Sequence, residues 1–213
     1  MDRVFHWENI YSTKNATDVS WYRSHLETSL QLISQSEISK TGQIIDVGGG
    51  ASTLVDDLIA REFENVTVLD ISSVAISSAR ARLGDRAERV TWLSADITEA
   101  VLSEHFYDLW HDRAVFHFLT GAEERRNYVS RVKNALKPNG HLIIATFSSD
   151  GPTKCSGLDV NRYSPETLHD EVGKDFDLIS SLAEDHLTPF NSVQRFVYCH
   201  FRLNSDRRFE ARL

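Results

Sequence analysis

The stretch from residue 42 to 60, GQIIDVGGGASTLVDDLIA, decides how the rest of the chain is read. An apolar run ends in Asp46. Three glycines follow, Gly48, Gly49 and Gly50, then Ala51 and Ser52, and then a helical pattern that puts Leu54, Leu58 and Ile59 on one side. Glycine between a strand and a helix permits a tight turn and lets a ligand approach the backbone. The helix start behind it offers free N–H groups. The dinucleotide fingerprint G-x-G-x-x-G fits Gly48 and Gly50 and fails at Thr53. The phosphate-loop pattern also fails, because no Gly-Lys-Ser/Thr follows. An Asp-x-Gly-x-Gly-x-Ser pattern remains, on Asp46, Gly48, Gly50 and Ser52.

Outward from this loop, residues 43–48, 66–72, 90–96, 107–113 and 140–148 read as strands, rich in Val, Ile, Leu or aromatics and bounded by turn residues. Residues 52–63, 73–83 and 122–136 read as helices, the last stopping before KPNG. Strand alternating with helix predicts parallel βαβ units with right-handed crossovers. Two long runs, 176–188 and 193–203, are joined by a link too short for a parallel crossover and therefore predict an antiparallel hairpin at the sheet edge. The expected fold is α/β: a doubly wound, mostly parallel seven-stranded sheet with a C-terminal antiparallel hairpin. Residues 1–40, with Leu26, Leu30 and Ile33 at helical spacing, are expected to form a helical cap over the site. Residues 41–205 are expected to form the core domain, and 206–213 a polar tail.

Composition narrows the function. The chain has 213 residues, 41% of them hydrophobic, enough for one domain with a proper core. Lys+Arg is 23 against 31 Asp+Glu, a net charge of −8 that repels phosphate backbones, so no nucleic-acid partner is expected. Cys155 and Cys199 are too few for a disulfide framework, and a reduced, cytoplasmic setting is the default. No targeting pattern and no apolar run of membrane length is visible. No histidine pair has H-x-x-x-H spacing, there is no C-x-x-C, and His111 and His117 stand six apart, so no metal is expected. Nothing in the sequence sets the oligomeric state.

Two carboxylates sharpen the loop. Asp70 ends the second run twenty residues after Gly50, the distance at which an acid accepts bonds from both hydroxyls of a ribose. Asp96 ends the third run, and an acceptor there can bind an adenine amino group with Ile97 packed on the base. Each also has a structural reading as a helix N-cap.

With these pieces in place, the chain resembles a class I S-adenosylmethionine-dependent methyltransferase. The matching segments are IIDVGGGAS, VTVLDIS, SADIT, YDLWHDRAVFHFL and LKPNGHLIIATF, in the family's order and spacing over roughly residues 40–205. The resemblance implies S-adenosylmethionine as cofactor. It implies that Asp46, Gly48, Gly49, Gly50 and Ser52 line its methionine part, that Asp70 with Ile71 holds the ribose, and that Asp96 with Ile97 holds the adenine. Ser52 stands where the family often has a third glycine.

Methyl transfer from a sulfonium is an in-line displacement in which positioning and a dry site do most of the work. A general base is needed only where the acceptor must lose a proton. The segment WHDRAVFHFL resembles one found in thiopurine-type and some lysine-directed methyltransferases. Asp112 and Arg113 match it, Ala114 replaces a glycine, and His117 stands near a second aspartate of the lysine-directed enzymes. The candidate catalytic residues are therefore Asp112, His111, Trp110 and His117. The aromatics Trp7, Tyr11, Trp21 and Tyr22 are candidates for contact with the acceptor or the sulfonium, with helix-to-core packing as the structural alternative. The long loop after the fifth strand adds Cys155 and Arg162. The leading expectation is methyl transfer to a small molecule. A protein-directed, lysine-type enzyme and a cofactor-binding protein without turnover stand as alternatives.

Overall fold

The computed structural model describes residues 2–204. The polar tail expected at 206–213 lies outside them. In chain order the elements are α1 (Arg3–Thr13), α2 (Glu27–Gln35), β1 (Gln43–Val47), α3 (Leu54–Ala60), β2 (Asn65–Asp70), α4 (Ser73–Leu83), β3 (Val90–Ser94), β4 (Tyr107–Arg113), α5 (Ala122–Ala135), β5 (Leu136–Phe147), β6 (Lys154–Cys155), β7 (Leu158–Asp159), α6 (Pro165–Val172), β8 (Phe176–Leu187) and β9 (Val193–Leu203).

Seven strands form one sheet in the order β3-β2-β1-β4-β5-β9-β8. The first five are parallel, whereas β9 runs antiparallel to β5 and pairs with β8 as a hairpin. The chain winds outward from β1 through β2 and β3, then returns to β4 on the other side. Sheets of this kind bind ligands at that switch point, beyond the carboxyl ends of the strands. Register brings the ends together: Asp46 stands opposite His111, Val47 opposite Asp112, and Asp70 opposite Ser94.

Alternation along the buried strands divides the core between the two faces. Ile45, Trp110, Tyr128 and Leu136 belong to one cluster. Ile44, Leu58, Leu109 and Ile33 belong to the other, under α2 and α3. Each such side chain contributes about 1.5–3 kcal/mol by leaving water. This packing fixes the strand ends that carry the site.

Local chemistry sets most boundaries. In α4, Ser72 accepts from the Ala75 amide, and the helix ends at Gly84 with φ +57°. In α6, Ser164 caps the start, Pro165 occupies the first turn and Gly173 closes the end with φ +85°. That helix and the small β6–β7 pair were not anticipated, although the α6 caps are legible in the sequence. β5 begins at Leu136, before KPNG. Asn139 at φ +62° and a register shift between Tyr107 and Leu109 absorb these extra residues. Asp108 accepts from the Gln43 amide at 2.8 Å and pairs with Lys137 at 2.7 Å, tying together the strand starts far from the cleft.

Candidate functional site

Two adjoining cavities open over the ends of β1, β2 and β4, sharing Tyr11, Trp21, Val47, Gly48 and Arg113. The larger encloses about 750 Å³ when the space open to solvent at its mouth is included.

The loop after β1 forms its floor. Gly48 has φ +74°, a conformation that side chains other than glycine rarely adopt, and its amide donates to the Leu69 carbonyl at 2.7 Å. A Cβ on Gly50 would lie 2.6 Å from Asp70 Oδ2 and 2.7 Å from Ala75 Cβ. The loop is therefore pressed against the end of β2. Asp70 fixes that contact: Oδ2 accepts from the Gly50 amide at 2.9 Å and Oδ1 from the Ser72 amide at 2.8 Å. Burial pushes its carboxyl up to about 6, against the pull of those two bonds, and the Asp46 and Glu8 carboxylates add to the rise.

Asp46 is 2% exposed. Its Oδ1 lies 2.7 Å from His111 Nδ1, and His111 Nε2 lies 2.9 Å from Ser29 Oγ. Asp46 Oδ2 is buried with no partner. An unfilled carboxylate oxygen beside a glycine turn suits the ammonium of a methionine moiety, so these residues fit S-adenosylmethionine. Ser52 lines the second cavity, where its Oγ also accepts from the Leu54 amide at 3.2 Å.

The opposite wall holds Ile71, Ala95, Asp96 and Ile97. Asp96 is both a cap and a lining residue. Its Oδ1 caps the following turn, accepting from the Thr98 amide at 2.8 Å, while the residue lines the cavity. Its Oδ2 accepts from Arg3 at 2.9 Å, and Arg3 also pairs with Glu124 at 2.9 Å. Helix α1 thereby lies over the cleft, with Trp7, Glu8 and Tyr11 half-buried on it. Glu8 takes the Ser73 and Val74 amides at the start of α4, at 2.8 and 3.2 Å. Trp7 packs edge-on against Phe118 at 5.1 Å and Trp21 at 5.8 Å. Trp7, Tyr11 and Trp21 line the first cavity, and Tyr22 lines the second.

The segment after β4 departs from expectation. Asp112, Trp110 and His117 do not face the cavities. Asp112 is fully buried; its Oδ1 accepts from the Val115 amide at 2.9 Å, and its Oδ2 from the Phe116 amide at 3.1 Å and the Tyr128 hydroxyl at 2.6 Å. Trp110 donates to the same hydroxyl at 3.0 Å. Burial pushes the Asp112 carboxyl up to about 6, opposed by those hydrogen bonds. This chain holds the turn that presents Ala114 (φ +70°), Val115 and Phe118 to the cavity. His117 packs between Phe118 and Phe147, and burial, aided by Arg113, lowers its imidazole to about 3. The side chains alternate across the strand: Trp110 and Asp112 turn toward α5, whereas His111 turns toward α2 and reaches the second cavity. Arg162 donates to the Gly151 carbonyl and lines neither cavity. Cys155 does line the first, its thiol pushed up to about 12 by burial.

Several residues at the cleft were not anticipated as site residues: Arg3, Arg23, Arg113, Phe118 and, behind His111, Ser29. A serine on the buried face of α2, between Leu26 and Leu30, is a visible signal for the last. Arg113 matched the motif around Asp112 but was given no site role there. Among the described residues no cluster of three or more side chains suited to a metal is present, and no helix is long and apolar enough to cross a membrane.

Comparison with known proteins agrees with this geometry. Residues 45–142 match the family model described as a methyltransferase domain. A malonyl-[acyl-carrier protein] O-methyltransferase of Anoxybacillus flavithermus is 35% identical over 105 residues, covering 49% of this chain and 38% of the relative. The eEF1A lysine and N-terminal methyltransferase of Mus musculus is 24% identical over 119 residues, 56% of this chain and 17% of the relative. The chain thus spans well under half the length of these two curated relatives. Among solved structures, the Burkholderia thailandensis 1,6-didemethyltoxoflavin-N1-methyltransferase with bound 1,6-didemethyltoxoflavin and S-adenosylhomocysteine superposes with a TM-score of 0.72 at 18% identity, covering 94% of this chain and 88% of that one. The strand order, the glycine loop and the matched residues agree: residues 45–142 form a methyltransferase domain, and the fold is that of the class I S-adenosylmethionine-dependent methyltransferases.

Proposed function

We propose that this chain transfers a methyl group from S-adenosylmethionine to a small-molecule acceptor. One observation carries the reading: beyond the donor loop the cleft is lined by Trp7, Trp21, Phe118 and Cys155 beside α1, a mostly apolar, aromatic end suited to the body of a compact molecule. In this reading Asp46 Oδ2 receives the methionine ammonium beside Gly48, Gly49, Gly50 and Ser52. Asp70 receives the ribose hydroxyls, and Ile71, Asp96 and Ile97 frame the adenine. The bound cofactor supplies an electrophilic methyl on a sulfonium. The protein excludes water, fixes the approach and surrounds that charge with aromatic faces. Asp112, Trp110 and His117 act through the turn they hold and not on the acceptor. His111 acts as a positioning residue, with one ring nitrogen orienting Asp46 and the other tied to Ser29.

The test is incubation of the protein with methyl-labelled cofactor, a metabolite extract and a protein extract, followed by separation by size. Label in the low-molecular-weight fraction is the expected result. Label confined to protein would favour the lysine-directed alternative, and the absence of label in both fractions would favour binding without turnover.

A further inference from the structure

We propose that Arg113 holds the carboxylate of the methyl acceptor, and that the chain makes methyl esters of small carboxylic acids. The inference rests on the small-molecule reading above and specifies its acceptor.

Arg113 ends β4 and lines both cavities, with a side chain only 7% exposed. Most of its fork is already used. Nε donates to the Tyr198 hydroxyl at 2.8 Å, Nη1 to the Trp21 carbonyl at 3.1 Å, and the guanidinium carbon lies 4.5 Å from the centre of the Phe196 ring. Nη2 has no hydrogen-bond partner. The carboxylate beside it, Glu184 Oε1, is 3.7 Å away, beyond hydrogen-bond reach, and also lacks a partner. Arg23 Nη2 stands at the same 3.7 Å from that oxygen. Two guanidinium groups thus stand near one carboxylate oxygen without a hydrogen bond to it, and Asp46 is the other carboxylate lining the second cavity beside them. A buried cation with an unfilled donor calls for an anion.

Two anions compete for that place, the methionine carboxylate and an acceptor carboxylate. Arg23 lines the second cavity with Asp46 and the glycine loop and is absent from the lining of the first. It suits the donor's own carboxylate. Arg113 also faces the aromatic end of the first cavity, where the acceptor's apolar body would lie against Trp7, Trp21 and Phe118.

The titratable groups there favour the same acceptor class. Among the described residues lining the first cavity, the carboxylates are Asp70 and Asp96, both already engaged. Burial raises Tyr11 and Cys155 toward their protonated forms. His111, in the second cavity, has both ring nitrogens in hydrogen bonds. An alcohol, thiol or ammonium acceptor would need a base to free its lone pair, whereas a carboxylate arrives with the pair free at neutral pH. With Nε and Nη1 occupied, Nη2, which is covered in this structure, is the donor left to grip one carboxylate oxygen once the side chains over it move aside, leaving the other oxygen to attack. The new bond joins that oxygen to the methyl carbon. The bond from that carbon to the sulfonium sulfur breaks with its electron pair going to sulfur. No proton moves.

Two measurements test this on the full chain. Label transferred from methyl-tritiated cofactor into the small-molecule fraction should be released as volatile methanol by mild base, as methyl esters are. Base-stable label in that fraction would overturn the inference and leave the small-molecule reading standing, whereas label confined to protein would remove both. Ligand-observed NMR with the protein saturated in S-adenosylhomocysteine compares benzoate and hexanoate with benzamide and hexanamide. The acids should bind roughly tenfold more tightly, as one charge-assisted hydrogen bond implies. No preference for the acids would overturn the inference, and this comparison needs no variant. Arg113→Gln should abolish the preference and leave S-adenosylhomocysteine affinity within about threefold, less than one charge-assisted hydrogen bond. A loss of that affinity matching the loss of acid binding would assign Arg113 to the donor's carboxylate and overturn the inference.

Discussion

Asp70 and Arg113 are charged groups at the two ends of one cleft, and they are held in opposite ways. Asp70 bonds to amides twenty and two residues away, at Gly50 and Ser72, within a single βαβ unit. Arg113 bonds to groups 92 and 85 residues away, at Trp21 and Tyr198, on the N-terminal segment and the final hairpin. The end proposed to bind the donor is thus local: strand ends, a glycine turn and helix starts. The end proposed to bind the acceptor is assembled from distant pieces and can change while the other stays fixed. One fold can therefore serve many acceptors with one donor.

The largest effect expected is on the donor side. Asp70→Ala removes the carboxylate that fixes the loop and is proposed to receive the ribose. S-adenosylhomocysteine affinity should fall about a hundredfold, the size of two lost charge-assisted hydrogen bonds, as calorimetry would read. Full affinity in this variant would dissolve the distinction between the two ends.

Asp112→Ala comes next and separates holding from chemistry. It strips the Val115 and Phe116 amides and the Tyr128 hydroxyl of a buried acceptor and should cost about 2–3 kcal/mol of stability by thermal or urea unfolding. S-adenosylhomocysteine affinity, measured on the folded fraction, should stay within a factor of about three. That prediction rests on the side chain lying behind the turn and outside the cavity.

A third measurement uses pH. The Asp70 carboxyl titrates at about 6, and its ionised form is the better acceptor for two hydroxyls. Affinity should rise by roughly tenfold between pH 5 and pH 7, following the ionised fraction. In stability the sign is opposite. Asp70 and Asp112 both titrate at about 6 in the fold, above their ordinary 3.8, so their contribution is fully present below pH 3.8 and is lost as pH rises through 6. An affinity flat from pH 5 to pH 7 would show that Asp70 does not receive the ribose as a carboxylate.

The smallest effect expected is at the latch of α1. Arg3→Ala removes partly exposed pairs to Asp96 and Glu124, each worth no more than about 1 kcal/mol. S-adenosylhomocysteine affinity should weaken about threefold, mainly through faster release in stopped-flow dissociation. A tenfold or larger loss would make α1 part of the donor site rather than its cover.

The donor end was legible because its signals are short-range. Two glycines, a carboxylate twenty residues on and alternating strands and helices specify Asp46, Asp70, Ile71, Asp96 and Ile97 at one edge of a parallel sheet, and the cavity lies there. The short link at 188–192 likewise announced the antiparallel hairpin. The residues at the end of β4 were misread for a specific reason. A strand end in the right place does not say which way its side chains turn, and alternation sends Trp110 and Asp112 to the α5 face and His111 to α2.

By itself, then, the sequence determined the fold class, the chain order of the seven strands of the main sheet and the edge where the cavities open, because spacing and turn chemistry act over a few residues. Only the tertiary structure decided that Asp112 is a buried brace, that α1 lies across the cleft, and that Arg113 meets Trp21, Glu184 and Tyr198 around an unfilled donor. Those facts depend on contacts between segments about a hundred residues apart, and no local pattern encodes such a meeting.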